Sequence, residues 1–243
     1  MLDVISSIPP LVRSRIEEVL SRHADLDSTS LPGGYLRISA LDPIAQSGPQ
    51  CGLVALSMAS RLLHLKSIEI IEIFEKARKL GISAQGEIFS ASWLCELSRA
   101  LWPVYAEVLP FPEPNELVQL LMNGCALLIP YDCDKNHEPA LRNGHGAHWA
   151  LLVGFLIVKA DMTSLQPATS DTKVVDTNNL YVFAYHGKSR YMGLWSYTDL
   201  QRSSKQLNEP SPSRQPPDFI IPEDGLSQLR EKCVCIKNKP SVS

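Results

Sequence analysis

Basic residues are not in surplus in this sequence: 23 Lys and Arg stand against 26 Asp and Glu, a net charge of -3 with His neutral. That balance leaves no electrostatic footprint for nucleic acid or for an anionic membrane, so a partner is recognised by shape and local chemistry. Long apolar runs are also missing. The longest, Trp149 to Val158, falls far short of the ~20 residues that span a bilayer. The opening stretch MLDVISSIPPLVRSRIEEVL has no basic start, no continuous apolar segment and no small-residue cleavage site, so no secretory signal is read. Among the six cysteines (Cys51, Cys95, Cys125, Cys133, Cys233 and Cys235) no pair has the C-x2-C spacing. They read as free thiols in a reducing compartment, and the expected location is cytoplasmic.

What is present is ordinary globular material, 44% hydrophobic and 20% charged, which excludes wholesale disorder and fibrous repeats. A length of 243 residues suits one domain. An N-terminal helix and loop occupies 1–34 and the main body 35–243. Leu11, Ile16, Val19 and Leu20 among Arg and Glu predict a short surface helix over 10–23, opened by Pro9 and Pro10. Tyr35 to Leu41 reads as a strand. From Cys51 onward, Leu53, Val54, Leu56, Met58, Leu62, Leu63 and Leu65 cover so much of the helical circumference that this helix is expected to be buried and central. Helices follow over Ser67 to Leu80, Ser90 to Leu101 and from Pro114 to the Asn123-Gly124 stop. The pattern then changes to short apolar runs of buried strands, Ala126 to Pro130 and Ala147 to Val158, with further strands at Leu180 to Tyr185 and Tyr191 to Tyr197. Residues 159–175 read as a polar excursion and 208–217 as a Pro-rich loop. Helices first and strands later argue for an α+β domain rather than alternating βαβ units.

The chemistry concentrates in two stretches. In QSGPQCGLVALSMA, from Gln46, a cysteine stands at the first turn of the buried helix, where unpaired N–H groups and the positive end of the dipole favour a thiolate and should lower its pKa. Gly48 and Pro49 hold the turn before it, and Gly52 is expected to let a substrate backbone approach without a Cβ in the way. In GHGAHWALLVGF, from Gly144, His148 occupies the last loop position before a buried strand, placed to accept a proton from a thiol on another element. His145, between glycines, reads as an exposed loop residue. Gln46 can aim its side-chain NH2 at the cleft and, with the Cys51 N–H, stabilise an oxyanion. Gln50 is its rival. Gln, Cys and His follow one another as in papain-like peptidases.

These stretches, with HGKSRYMGLW and the later SSKQL, closely resemble the actin maturation protease family, relatives of the papain-like C39 peptidases, from about Ala40 to Leu207. The resemblance implies a papain-like cysteine peptidase fold over 35–243, with a helical N-terminal part whose nucleophile helix packs on a C-terminal antiparallel sheet. It implies removal of the acetylated first Met or Cys from new actin, with Cys51 as nucleophile, His148 as general base and acid, Gln46 as oxyanion donor, and no metal or other cofactor. The Gln-to-Cys interval is one residue shorter than in papain relatives, which keeps Gln50 open. Those relatives carry Asn or Asp on the strand after the histidine strand, but Val182 to Gly187 contains neither and His186 stands at about that place. Either His186 orients His148 or the pair works with a backbone or water partner. The actin N-terminus is a run of carboxylates, for which Lys188 and Arg190 are the candidate contacts. Actin itself is the implied partner, alone or bound to profilin, with no nucleic acid and no membrane.

Two other readings compete. Cys125, Cys133, His137, His145 and His148 lie in one segment, but their spacing lacks the tight ligand pairs of a zinc site. A peptidase-like fold that holds actin or another peptide without cutting it is the remaining alternative.

Overall fold

The computed structural model describes residues 8–24 and 30–240; residues 1–7 and 25–29 of the N-terminal stretch lie outside the described residues. Among the described residues six α-helices, α1 (Pro10–Arg22), α2 (Cys51–Leu62), α3 (Ile70–Lys79), α4 (Ala91–Leu101), α5 (Pro114–Met122) and α6 (Tyr197–Lys205), flank one sheet. Its strands are β1 (Gly33–Ile38), β2 (Val104–Pro110), β3 (Ala126–Asp132), β4 (Ala147–Lys159), β5 (Leu165–Pro167), β6 (Leu180–Tyr185), β7 (Gly193–Ser196) and β8 (Lys232–Asn238). The path through the sheet is β2-β8-β3-β4-β1-β5, and β6 joins β4 to β7. The fold is α+β. The sheet is antiparallel, as expected, at every pairing but one: the polar excursion contributes β5, which pairs parallel to β1.

The sheet separates two cores. On one face lie Val12, Ile16, Val19 and Leu20 of α1 with the apolar residues of α2, α3 and α4. On the other are Leu117, Val118 and Leu121 of α5 and Tyr197 and Leu200 of α6. β4 is covered on both sides, which explains its unbroken apolar run. Trp149, Leu151 and Val153 point into the core that holds α2, and so do Leu156 and Val158 further along. This change of parity follows from the register shift between Leu152 and Gly154, where an extra residue re-aims the side chains. Residues Cys51 to Ser60 of α2 are all buried. Ser90 caps α4 by accepting from the Trp93 N–H at 3.3 Å, as such a residue before a helix does. Among the described residues no helix is long and apolar enough to cross a membrane.

Pairing also opens the place where the site forms. β6 accompanies β4 only as far as the Leu151↔Tyr185 pair. Beyond it the chain leaves the sheet at His186, and residues 147–150 of β4 keep β3 as their strand neighbour. The N-terminus of α2 meets this uncovered edge, with the Cys51 thiol within hydrogen-bond reach of the Trp149 N–H.

Candidate active site

Cys51 is the first residue of α2, 9% exposed. No side chain caps this helix, so its first-turn N–H groups have no intrahelical partner, and the Gly52 N–H also reaches the thiol. His148 is the second residue of β4, 6% exposed, and lines one narrow cleft with Cys51, Pro49, Glu87, Trp149 and Arg214. Its Nε2 lies 2.6 Å from the His186 carbonyl oxygen. A carbonyl only accepts, so Nε2 carries the proton and Nδ1 keeps its lone pair, the tautomer that can take a proton from a thiol. The orienting group is thus the His186 backbone. The His186 ring turns elsewhere: its Nδ1 accepts from the Lys188 N–H at 3.3 Å, and it stacks on His137 with centroids 5.1 Å apart. Tyr131 packs edge-on against His148 and donates its hydroxyl hydrogen to the His137 carbonyl at 2.8 Å.

The electrostatics differ from the simple picture of a helix-end thiolate. Burial raises the pKa of the Cys51 thiol, against the lowering influence of Arg214, the Trp149 and Gly52 N–H groups and Lys188. Burial also lowers His148 to about 4; the His186 carbonyl opposes this, whereas Lys188 and Arg214 add to it. The resting pair is a neutral thiol and a neutral imidazole, because desolvation outweighs the helix dipole when both groups are enclosed.

Gln46 is held between the turn before α2 and the stretch after His186. Its N–H donates to the Gly187 carbonyl at 2.7 Å, its Nε2 donates to the Gly48 carbonyl at 2.7 Å, and its Oε1 is buried without a hydrogen-bond partner. Gln50 packs its Cγ toward Gly86, where an added Cβ would come within 2.5 Å of it. Gly52 does not serve substrate approach. A Cβ there would lie 3.2 Å from both Ile88 and Trp149, so its bare backbone is what lets α2 seat on β4. Lys188 is exposed but close enough to bias both Cys51 and His148. Arg190, also exposed, lies over the Tyr191 ring, its guanidinium carbon 5.2 Å from the centroid. His145 pairs with Glu209 at 3.0 Å. Among the described residues no group of three or more His, Cys, Asp or Glu is arranged to hold a metal ion.

Sequence reasoning missed Asp132. Fully buried at the end of β3, its carboxylate accepts from the N–H groups of Arg142 (2.6 Å), Gly144 (2.9 Å) and Gly146 (2.7 Å) and from Gln206 Nε2 (2.6 Å). It wraps the loop that delivers His148 to β4. A lone Asp closing the apolar run ALLIPYD was the available signal, since such a charge is retained in a core only when several donors satisfy it.

A pH effect follows. If His148, lowered to about 4, serves as the base of a peptide cleavage, kcat/KM is expected to stay flat from pH 8 down to about 6 and to lose its acid limb between about 5 and 4, well below a free imidazole. His186 is likewise lowered to about 4, by burial first. Both imidazoles bind protons more readily when unfolded, near 6.5, so their contribution to stability is complete above that value and is lost as pH falls toward 4. Circular dichroism across the same range separates the two effects; an acid limb near 6.5 in a folded protein would refute the buried-base geometry.

Comparison with known proteins identifies the family. Residues 41–156 match the family described as actin maturation protease-like, C-terminal domain. The chain is 35% identical to the actin maturation protease of Drosophila melanogaster over 217 residues, 86% of this chain and 73% of that one. It is 37% identical to that of Xenopus tropicalis (75% and 67% covered) and 33% identical to that of Homo sapiens (89% and 69% covered). In solved structures, the peptidase domain of Streptococcus ComA aligns over 82% of this chain and all of that one at TM-score 0.44 and 7% identity. A putative C39-like peptidase from Bacillus anthracis aligns over 84% and 98% at TM-score 0.46 and 10% identity. The chain belongs to the actin maturation protease family.

Proposed function

We propose that this protein is a cysteine peptidase that removes the acetylated first residue, Met or Cys, from the N-terminus of actin, in the cytoplasm and with actin alone or bound to profilin as substrate. The observation that carries the chemistry is the shared cleft of Cys51 and His148, with His148 Nε2 held by the His186 carbonyl. Sγ of Cys51 attacks the carbonyl carbon of the acetylated residue as its proton passes to His148 Nδ1. The C–N bond then breaks, His148 returns the proton to the leaving amine, and water hydrolyses the thioester to release the acetyl amino acid. A blocked terminus has no ammonium to grip, so recognition runs through the amide and an apolar side chain, with no metal involved. Lys188 and Arg190 supply positive charge for the acidic residues that follow.

In this scheme Gln46 is the oxyanion donor. Its NH2 carries two protons and the Gly48 carbonyl takes one, leaving the other for the developing oxyanion together with the Cys51 N–H. Gln46→Ala should therefore lower kcat by about 10²- to 10³-fold with little change in KM, while Gln50→Ala changes either only slightly. The reverse ranking in steady-state kinetics would move the role to Gln50.

The test of the function is intact-mass analysis of an acetylated actin N-terminal peptide after incubation with the protein, with the free-amine peptide as control. Loss of one acetylated residue is expected. Preference for the free amine would sink the reading.

A further inference from the structure

The segment between α6 and β8 runs across the cleft. Three contacts hold it there: the Ile220 N–H to Glu87 Oε1 at 3.0 Å, Gln85 Nε2 to the Asp218 carbonyl at 3.0 Å, and Arg214 Nη1 to the Ala147 carbonyl at 3.3 Å. Half-buried, Arg214 lines the cleft beside Cys51 and His148, its guanidinium carbon 6.0 Å from the centroid of the Phe89 ring. Of the charges that act on the Cys51 thiol, its charge is the foremost. Yet among the described residues no carboxylate forms an ion pair with it. Glu87, the acidic side chain that also lines the cleft, is already engaged by the N–H groups of Ala84, Gln85 and Ile220. A guanidinium has five N–H donors in a planar fork that matches a carboxylate. Half-buried and with one protein carbonyl as acceptor, the fork keeps donors free for an anion that enters the cleft.

We propose that Arg214 binds a carboxylate of the peptide substrate on the leaving side of the scissile bond and makes acidic character there a determinant of cleavage. This rests on the peptidase reading above, in which the residue removed is acetylated and uncharged, so that the anion comes from the residues that follow it. Arg214 is then the half-buried counterpart of the exposed Lys188, and its loop supplies specificity to a pair of catalytic residues carried by α2 and β4.

The test compares two peptides, acetyl-Met followed by Asp or by Asn, with the wild-type protein and its Arg214→Met, Arg214→Lys and Arg214→Glu variants. Arg214→Met should lower kcat/KM for the Asp peptide by about 10- to 100-fold more than for the Asn peptide, the scale of a lost charge-assisted hydrogen bond, whatever common change both show from the loss of a charge near the Cys51 thiol. Arg214→Lys should restore part of the difference, Arg214→Glu should favour acetyl-Met followed by Lys, and added salt should narrow each gap. An equal fall on both peptides, or none on either, overturns the proposal. If the wild type cuts neither peptide, the peptidase reading fails, and Arg214 is judged by binding alone. Fluorescence anisotropy with Cys51→Ala protein should show the labelled Asp peptide binding more tightly than the Asn peptide, with the gap closing in the Cys51→Ala, Arg214→Met double variant. No gap in the Cys51→Ala protein refutes it.

Discussion

Replacing Cys51 by Ala should leave a folded protein that releases no acetylated residue, a loss on the order of 10⁵- to 10⁶-fold in turnover, as when one member of a cooperating catalytic set is removed. The fold should survive because the side chain is small and stands at the first position of α2, where Ala is a good helix former. Its packing loss is about 1 kcal/mol, on the scale of a buried methylene. His148→Ala should be nearly as severe, and the Cys51→Ala, His148→Ala double variant no worse than either, since the proton transfer and the attack are one event. His186→Phe provides the contrast. The carbonyl that holds His148 belongs to the backbone, so this variant should keep activity within about tenfold, whereas a true side-chain orienting group costs more on removal. The measurements are peptide turnover by intact mass and thermal unfolding of each variant. Comparable turnover in a folded Cys51→Ala protein would place the nucleophile elsewhere.

Asp132→Ala should be the most damaging change to stability, by about 3–5 kcal/mol, the range for removing one side of a buried charged network. The substitution strands the N–H groups of Arg142, Gly144 and Gly146 and the Gln206 amide around a buried position, each at about 1–3 kcal/mol unless the loop moves out to solvent. If the loop does move, the cost appears in function, because it leads directly into His148. The tightness of the wrap is visible at Gly146, where an added Cβ would lie 2.4 Å from the Cys133 carbonyl oxygen and 2.8 Å from Asp132 Oδ1. Asp132→Asn keeps the shape but swaps an acceptor oxygen for an NH2 that faces donors, so it should be milder than Ala without being silent. Urea unfolding read together with kcat gives both quantities. Wild-type stability in Asp132→Ala would show that the carboxylate is not what holds the loop.

The sequence by itself determined the parts whose physics is local. A helix apolar all round has to be central, and Cys51 to Ser60 of α2 are buried. An uninterrupted apolar run has to be a strand covered on both faces, and β4 is. Ser90, Pro114 and Gly124 mark helix limits through hydrogen bonding and backbone geometry that depend on a few neighbours. That Cys51 and His148 lie together was legible from their positions at the ends of those two elements, and they line one cleft. Only the tertiary structure decided the rest. β8 (KCVCIKN) pairs with β2 and β3 from far along the chain, and α6 (YTDLQRSSK) is polar enough to read as loop until its Tyr197 and Leu200 find the second core. No residue type announces the partner of His148, because a backbone carbonyl is the same at every position; where β6 ends selects which one is presented. The state of the thiol was likewise beyond local reading, since the helix end lowers its pKa and burial raises it, and burial is a property of everything packed around Cys51. Arg214 sits in a Pro-rich stretch with no pattern of its own, and its place beside Cys51 exists only because the chain folds back across the cleft after α6.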